Sequence, residues 1–203
     1  MKLIQTLTAP NPRRVRIFLA EKGLAVPCEE MTLTADSVNA PDFVKMSPFR
    51  RVPVLVLDDG TTLTESMAIC RYFEELHPEP ALFGRDAKST ALIEMWSRGV
   101  EHGLFLFVSQ AFRHLHPRMV EREVPQVAEW GEACKWKALA ALDRLDAELS
   151  QRDYLAGDAF SVADITLLVA VDFMQVARID RPANLTNLAA WHAKVSARPS
   201  ASA

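Results

Sequence analysis

Residues 52–66, Val-Pro-Val-Leu-Val-Leu-Asp-Asp-Gly-Thr-Thr-Leu-Thr-Glu-Ser, carry the signals of two strands, a tight turn and a helix start. The apolar residues 52–57 and the threonine-rich residues 61–64 predict β-strands, and the Asp-Asp-Gly turn between them favours an antiparallel hairpin. Ser66 is a good N-cap residue, so we expect a helix to begin there and to run to about Leu76. This stretch therefore predicts a β-β-α unit.

The residues before this unit predict a strand, a helix and a second strand. Lys2–Thr8 is a short β-type run, and Val26–Leu33 is another. Between them, Asn11 is a suitable N-cap, Pro12 suits the first helical position, and Gly23 suits the left-handed residue that follows a helix. Together with the hairpin, this β-α-β order predicts a small sheet with a crossover, which is an α/β domain.

Beyond the prolines at positions 78 and 80 the pattern changes, because only the helical spacing of apolar residues follows. We therefore expect a domain at residues 1–77, a linker at 78–85 and an all-helical domain at 86–203. The start Ser161-Val-Ala-Asp164 is similar to a capping box, with Asp in place of the usual Glu. The expected helices span Asp86–His116, Val127–Leu149, Ser161–Val176 and Leu185–Ala197.

Composition and charge exclude several classes of function. The chain has 203 residues and a net charge of −3, with 23 basic against 26 acidic residues, so neither nucleic acid nor an anionic membrane is expected as a partner. No apolar run approaches the roughly 18 residues of a membrane span, and the first residues are too weakly apolar for a signal peptide. These features predict a cytoplasmic protein.

The spacing of cysteines and histidines gives no sign of a redox pair or a metal site. Cys28, Cys70 and Cys134 lie far apart without a Cys-x-x-Cys motif, and we expect each to be a small packed hydrophobe. His114 and His116 diverge by about 200° around a helix, and no third ligand lies at a matching spacing. No metal cofactor is expected.

Five motifs occur in order along the chain: Ala9–Gly23, Ser47-Pro48 with Arg51–Leu55, Thr64–Ser66 with Ala68-Ile69, Gly157–Ile165, and Trp191 with Arg198-Pro199. Together they resemble the cytosolic glutathione transferases over nearly the whole length of the chain. The resemblance implies a thioredoxin-like amino-terminal domain, an all-α carboxy-terminal domain, glutathione as co-substrate, a homodimer and a role in detoxification. Within the family, the chain is similar to bacterial serine-type and Nu-class-like members.

The resemblance implies a set of glutathione-binding residues in the first domain. In the family, a cis bond at the position of Val52-Pro53 exposes main-chain groups that pair with the cysteinyl part of glutathione, as an added strand would. Glu65 and Ser66 would bind the γ-glutamyl end, whose carboxylate suits a helix start. Arg51 would lie near the glycine end. The alternatives are that Pro53 only shapes a turn, that Ser66 is only an N-cap and that Arg51 is a solvated charge.

The position of the thiol-activating residue departs from the family's commonest pattern. The usual serine hydroxyl aligns with Ala9, which cannot donate a hydrogen bond. Asn11 matches an asparagine of the Nu-class-like transferases, and its amide would stabilise the thiolate together with free N–H groups at the helix start. Thr8 is the neighbouring hydroxyl, although strand alternation points it away from the side of Ala9. The alternative is that Asn11 serves only as an N-cap.

A pocket for the second substrate is expected in the helical domain. The run Leu104–Val108 is apolar nearly all round, so part of it would be core and part would line a hydrophobic cleft between the domains. We expect His102, Phe105, Phe112 and His114 to line this pocket.

These observations predict a glutathione transferase that conjugates the glutathione thiolate to small, hydrophobic electrophiles. A glutathione-dependent disulfide oxidoreductase or isomerase at the same site is the first alternative. A non-catalytic, partner-binding protein of the same fold is the second alternative. The missing hydroxyl at Ala9 favours the non-catalytic protein, whereas the retained Val52-Pro53 and Glu65-Ser66 pairs argue against it.

Overall fold

The chain divides into two units, both of which are described by a computed structural model that covers Met1 to Ala203. The first unit is Met1–Pro80 together with Ser202–Ala203, and the second is Ala81–Ala201. The domain limits expected at residues 77 and 86 stay predictions. No helix in either unit is both long enough and apolar enough to cross a lipid bilayer.

The first unit contains four strands: β1 Lys2–Gln5, β2 Cys28–Glu30, β3 Val54–Val56 and β4 Thr62–Thr64. They form one mixed sheet in the order β2-β1-β3-β4. β1 is parallel to β2 and antiparallel to β3, and β3 is also antiparallel to β4. The turn from β3 to β4 contains Gly60 at a φ of 85°, a left-handed conformation that glycine adopts without steric cost. The predicted hairpin and the α/β class are confirmed, although each strand is shorter than predicted.

Four helices accompany the sheet: α1 Pro10–Glu21, α2 Ala35–Asn39, α3 Pro41–Met46 and α4 Ser66–Leu76. α1 packs against α4. The short helices α2 and α3 were not predicted, because elements of 5 and 6 residues show no helical period in the sequence. Their starts nevertheless carry recognisable signals, since Thr34 forms a capping box with Ser37 and Pro41 is the first residue of α3.

The start of α1 differs from the prediction. The helix begins at Pro10, and Ala9 occupies the N-cap position without a side-chain hydrogen bond. The predictions of Asn11 as N-cap and Pro12 as the first helical residue are therefore wrong. Pro10 already has the backbone angle that a first helical position requires, so the helix starts two residues earlier. At the other end, Gly23 follows the helix with a φ of 65°, as predicted.

A buried ion pair holds the segment that follows α4. The Lys22 ammonium lies 2.6 Å from Glu74 Oε2, and the two side chains are only 0% and 9% exposed. The same ammonium donates to the main-chain oxygens of His77, at 2.7 Å, and Pro80, at 2.6 Å. A buried charge is stable only with its donors satisfied, so these contacts fasten the chain after α4 to the end of α1.

The second unit is all helical: α5 Ala87–Val100, α6 Leu106–Leu115, α7 Ala128–Leu149, α8 Val162–Val176 and α9 Thr186–Ser196. A π-turn of 5 residues, Glu101–Phe105, joins α5 to α6, so the helix expected over 86–116 continues through a change of winding. α6 packs against α7, and α5 packs against α8. The all-α class of this half of the chain is confirmed.

The Asp164 carboxylate ties the start of α8 to two other segments of the second unit. Its Oδ2 accepts from the N–H and the hydroxyl of Ser161, both at 3.1 Å, which confirms the predicted capping box. Its Oδ1 accepts from the Leu155 N–H at 2.9 Å and from Trp191 Nε1 at 3.0 Å. Burial raises the pKa of Asp164, and these hydrogen bonds oppose the rise.

Replacing Asp164 by Ala should lower the free energy of unfolding by about 3 kcal/mol, because the buried donors of Leu155, Ser161 and Trp191 lose their acceptor. Chemical denaturation measures this change. The exposed Asp158 offers a matched control, and Asp158→Ala should change the free energy of unfolding by less than about 0.5 kcal/mol. Equal losses in the two variants would contradict the role assigned to Asp164.

Candidate active site

Pro53 ends the pairing of β3 with its neighbouring strands, and Val52, the residue before it, has free main-chain groups. Val54 pairs with Ile4 of β1 and with Thr64 of β4. Pro53 has no N–H that would continue either ladder, and the Val52-Pro53 bond is cis, as the family resemblance predicts. The N–H and C=O of Val52 make no hydrogen bond within the chain. An extended peptide can therefore pair with Val52.

The loop before Val52 is held by the buried hydroxyl of Ser47. Ser47 is 1% exposed, and its Oγ accepts from the Arg51 N–H at 3.0 Å and donates to the Arg51 C=O at 2.9 Å. The main chain that leads into Val52 is thus fixed, while the Arg51 side chain is exposed. The sequence shows Ser47 only as part of a motif, because a hydroxyl bridging two main-chain groups leaves no periodic signal.

The start of α4 presents hydrogen-bond donors that the chain does not use. Glu65 occupies the N-cap position at a φ of 68°, a left-handed conformation that costs a non-glycine residue roughly 1–3 kcal/mol and is concentrated at functional sites. Ser66 is the first helical residue, so the prediction that it caps α4 is wrong. The buried Ser66 makes no hydrogen bond within the chain through its hydroxyl or its N–H. Such a helix start suits an anion.

Three segments of the first unit meet around Val52. β3 and β4 are last paired at Val54 and Thr64, two residues after Val52 and two residues before Ser66. Ala9, at the start of α1, packs against the hydrophobic cluster that includes Val52. The chain thus passes from β4 into α4 two residues beyond the last pair with β3, and the residue before α1 packs against the cluster that contains Val52.

At the start of α1, the free hydrogen-bond donors belong to Asn11. Pro10 and Pro12 have no N–H, whereas the N–H of Asn11 is present and makes no hydrogen bond within the chain. Asn11 Oδ1 accepts from Arg14 Nη1 at 3.3 Å, which leaves Nδ2 without a partner. Since the Arg13 N–H already bonds to a main-chain oxygen, the expectation of several free N–H groups here is wrong, and Asn11 has the free one.

The two residues before Pro10 differ in direction. Thr8 is exposed and makes no hydrogen bond within the chain, whereas Ala9 packs toward the cluster that contains Val52. Both residues lie beyond β1, which ends at Gln5, so this difference belongs to the segment before α1 and not to strand alternation. On the side of Val52, the chain therefore presents a methyl group where the family's commonest pattern has a hydroxyl.

The cysteines lack the properties of a nucleophile. Burial raises the pKa of Cys70 to about 12 and also raises the pKa of Cys134, so both remain thiols near neutral pH. Cys28 lies exposed on β2, and the prediction that it is packed is wrong. Its partial burial and the nearby Glu30 carboxylate raise its pKa as well.

The residues expected to form the second-substrate pocket lie in the π-turn and in α6. Phe105 and Phe112 both contact Phe173 of α8, with ring centroids 6.4 Å and 5.2 Å apart. Phe112 also stacks near His116, at 4.9 Å. Phe105 is buried, Phe112 is half-buried and His102 is exposed. The two phenylalanines therefore form one aromatic group with Phe173.

His114 is fastened by contacts within the second unit. Its Nδ1 accepts from the Val127 N–H at 3.0 Å, and its Nε2 lies 3.2 Å from Gln110 Oε1. These contacts engage both ring nitrogens and hold the residue before α7. No group of three or more His, Cys, Asp or Glu side chains is arranged to hold a metal ion.

Comparisons with known proteins identify the family of this chain. Residues 8–76 match the family model of the glutathione S-transferase N-terminal domain, and residues 104–199 match that of the C-terminal domain. Glutathione S-transferase 2 of Saccharomyces cerevisiae is 36% identical over 203 residues, which cover 98% of this chain and 87% of that protein. The chain belongs to the glutathione S-transferase family.

Two solved structures are similar along the whole chain. The crystal structure of Gtt2 from Saccharomyces cerevisiae has a TM-score of 0.95 at 35% identity, covering 100% of this chain and 99% of that one. A glutathione S-transferase domain-containing protein from Marinobacter aquaeolei VT8 has a TM-score of 0.95 at 37% identity, covering 98% of this chain and 99% of that one. The expected thioredoxin-like and helical halves are confirmed. The bacterial and Nu-class-like assignment stays a prediction.

Replacing Ser47 by Ala should raise the dissociation constant of glutathione about fivefold, because the loop that leads into Val52 loses the hydroxyl that bridges the Arg51 main chain. Titration calorimetry measures the constant. Ser37→Ala is the matched control, since the Ser37 hydroxyl also bonds to two main-chain groups, Thr34 N–H and Thr32 C=O, but in another loop of the same unit. Binding weakened equally by both variants would refute the specific role of Ser47.

Proposed function

We propose that the chain is a glutathione transferase that joins the glutathione thiolate to small, hydrophobic electrophiles. The observation that carries the proposal is the unpaired main chain of Val52 next to β3, together with the free donors of Asn11 and Ser66 in the same unit. A short peptide with a central thiol and a terminal carboxylate suits this arrangement. The full-length similarity to glutathione S-transferases supports the same substrate.

Glutathione binds along the amino-terminal domain, proposed as residues 1–77. Its cysteinyl N–H and C=O pair with the main chain of Val52, as an added antiparallel strand would. Its γ-glutamyl carboxylate accepts hydrogen bonds from the N–H and hydroxyl of Ser66, and Glu65 pairs with its ammonium. The exposed Arg51 guanidinium binds the glycine carboxylate, and Ser47 keeps the Arg51 main chain in place.

Asn11 stabilises the thiolate through its N–H and its Nδ2 group. Lowering the pKa of a thiol by about two units requires about 2.7 kcal/mol of differential stabilisation. Two hydrogen bonds to a charged sulfur, at roughly 1.5–3 kcal/mol each, are sufficient. Thr8 is the secondary candidate for a catalytic role, while Ala9 has no group to donate.

The reaction forms one carbon–sulfur bond. The glutathione thiol first loses its proton to solvent water, and the sulfur then gives an electron pair to the electrophilic carbon. A leaving group departs with the electrons of the bond that breaks, or an acceptor double bond takes the pair and is protonated by water. His102, Phe105, Phe112 and His114 form the proposed pocket for the electrophile, in which the phenylalanine rings provide the apolar surface.

A glutathione-dependent disulfide oxidoreductase or isomerase is the second candidate, favoured by Asn11, which matches an asparagine of the Nu-class-like transferases, and by the missing hydroxyl at Ala9. In disulfide exchange the thiolate attacks a disulfide sulfur, a mixed disulfide forms, and the other sulfur leaves as a thiolate. The non-catalytic alternative has less support, because Val52, Glu65 and Ser66 keep free groups suited to glutathione.

The family resemblance also supports a homodimer that acts in the cytoplasm in the detoxification of electrophiles. The near balance of basic and acidic residues supports partners other than nucleic acid and membranes. Glutathione is the co-substrate in this proposal, and no metal takes part.

Ser66→Ala should raise the dissociation constant of glutathione at least tenfold, because the γ-glutamyl carboxylate loses a charge-assisted hydrogen bond. Glu65→Gln keeps the size of the side chain and removes its charge, so weaker glutathione binding by this variant reports the contact between Glu65 and the ammonium. Titration calorimetry measures the dissociation constant of glutathione for each variant. Absence of heat with the parent protein at millimolar glutathione, or equal affinity in all three proteins, would refute the proposed site.

Asn11→Ala should raise the pKa of the bound glutathione thiol toward that of free glutathione without abolishing binding. Ultraviolet absorbance of the thiolate, titrated with pH, measures the pKa, and Thr8→Ala should change it less. Asn11→Asp should raise the pKa as well, because it places a negative charge near the sulfur. If Thr8→Ala raises the pKa and both Asn11 variants leave it unchanged, the role of Asn11 is wrong.

A further inference from the structure

Arg14 is a buried charge in contact with the Asn11 side chain. Its side chain is 1% exposed in the first unit, where arginine is rarely found unless it is paired. It lies one helical turn after Asn11 on α1, and its Nη1 is 3.3 Å from Asn11 Oδ1. A leucine or methionine would fill such a position without the cost of burying a guanidinium.

The contact determines which end of the Asn11 amide is free. A carboxamide has an oxygen that only accepts and a nitrogen that only donates, and an arginine only donates. Arg14 therefore binds the oxygen, and the NH2 group is the end that remains without a partner in the chain. Without this contact the amide is free to turn its oxygen, with its partial negative charge, toward an anion.

We propose that Arg14 is a positioning residue for the glutathione thiolate: it holds the Asn11 carboxamide by its oxygen, so that the NH2 group donates to the sulfur. This inference rests on the proposed function, because it needs the thiolate at Asn11. The guanidinium acts in a second way as well. Its charge polarises the amide and makes the NH2 a stronger donor in a medium of low dielectric constant.

Other charged and titratable groups surround this arginine. The Cys70 thiol of α4 interacts electrostatically with both Arg14 and Glu74, and Glu74 is itself paired with Lys22. Burial raises the pKa of Cys70 to about 12, so Cys70 stays neutral in the range in which glutathione ionises.

Arg14→Met should raise the pKa of the bound thiol by about one unit, which lowers the thiolate fraction about tenfold near neutral pH. The dissociation constant of glutathione should change less than twofold, since Arg14 acts through Asn11 and not on the peptide. Arg14→Lys keeps the charge and should recover part of the shift. Arg13→Met, the matched loss of one charge at the adjacent residue of α1, should leave the pKa unchanged.

The double variant separates positioning from a general effect on the fold. In the Asn11→Ala background, Arg14→Met should raise the thiol pKa no further, because the group through which it acts is gone. Additive shifts in the double variant, or an unchanged pKa in Arg14→Met alone, would overturn the inference. An unchanged pKa in Asn11→Ala alone would instead mean that the proposed role of Asn11 has failed.

A second measurement does not depend on whether the variants fold. A crystal structure of the parent protein with glutathione should have Asn11 Nδ2 within hydrogen-bond distance of the sulfur and Oδ1 facing Arg14. Neutron diffraction or the amide proton signals of Asn11 assign the two ends directly. The opposite orientation of the amide, or an Arg14 guanidinium turned away from it, would refute the positioning role.

Discussion

The missing N–H of Pro53 is the constraint on which the proposed glutathione site depends. β3 is bonded on both sides at Val54, and a residue with an N–H at position 53 would be able to extend the ladder. Because Pro53 cannot donate, pairing stops and the main-chain groups of Val52 stay free. The central strand also fixes the surroundings of Val52, since β1 leads into α1 and β4 leads into α4.

The two helix starts beside Val52 leave their first-turn donors to a ligand. α2, α5 and α8 are closed by capping boxes of their own, whereas α1 and α4 have no side-chain cap. α3, α7 and α9 also lack one, so a missing cap alone identifies no site. What distinguishes α1 and α4 is that they follow β1 and β4, the two strands that pair with β3 just after Val52. A ligand that bridges Val52 and the two helix starts satisfies donors that the chain leaves open.

The parts of the molecule that the sequence predicted are those with a local or periodic signal. The hairpin at 52–64 and the long helices of the second unit have strong periodicity and turn residues, so their limits lie within a few residues of the prediction. α2 and α3 are too short for a period, and the start of α1 was misplaced because Pro10 and Pro12 both suit a first helical position. The residues at 52–53 and 65–66 were predicted to bind glutathione because they match motifs of the family. The roles of Ser47 and Arg14 depend on burial, which no local signal reveals.

An asparagine amide and a serine hydroxyl stabilise a thiolate in different ways. A serine hydroxyl turns its single proton toward whichever acceptor is nearest, so it needs no partner of its own to stabilise an anion. An asparagine has two unlike ends, and a thiolate is stabilised by only one of them. The second residue that fixes the amide by its oxygen must be a donor, and the buried guanidinium of Arg14 only donates. Ala9 is compatible with the proposed arrangement, because the proposed donor to the sulfur is the amide of Asn11 and no hydroxyl is needed at position 9.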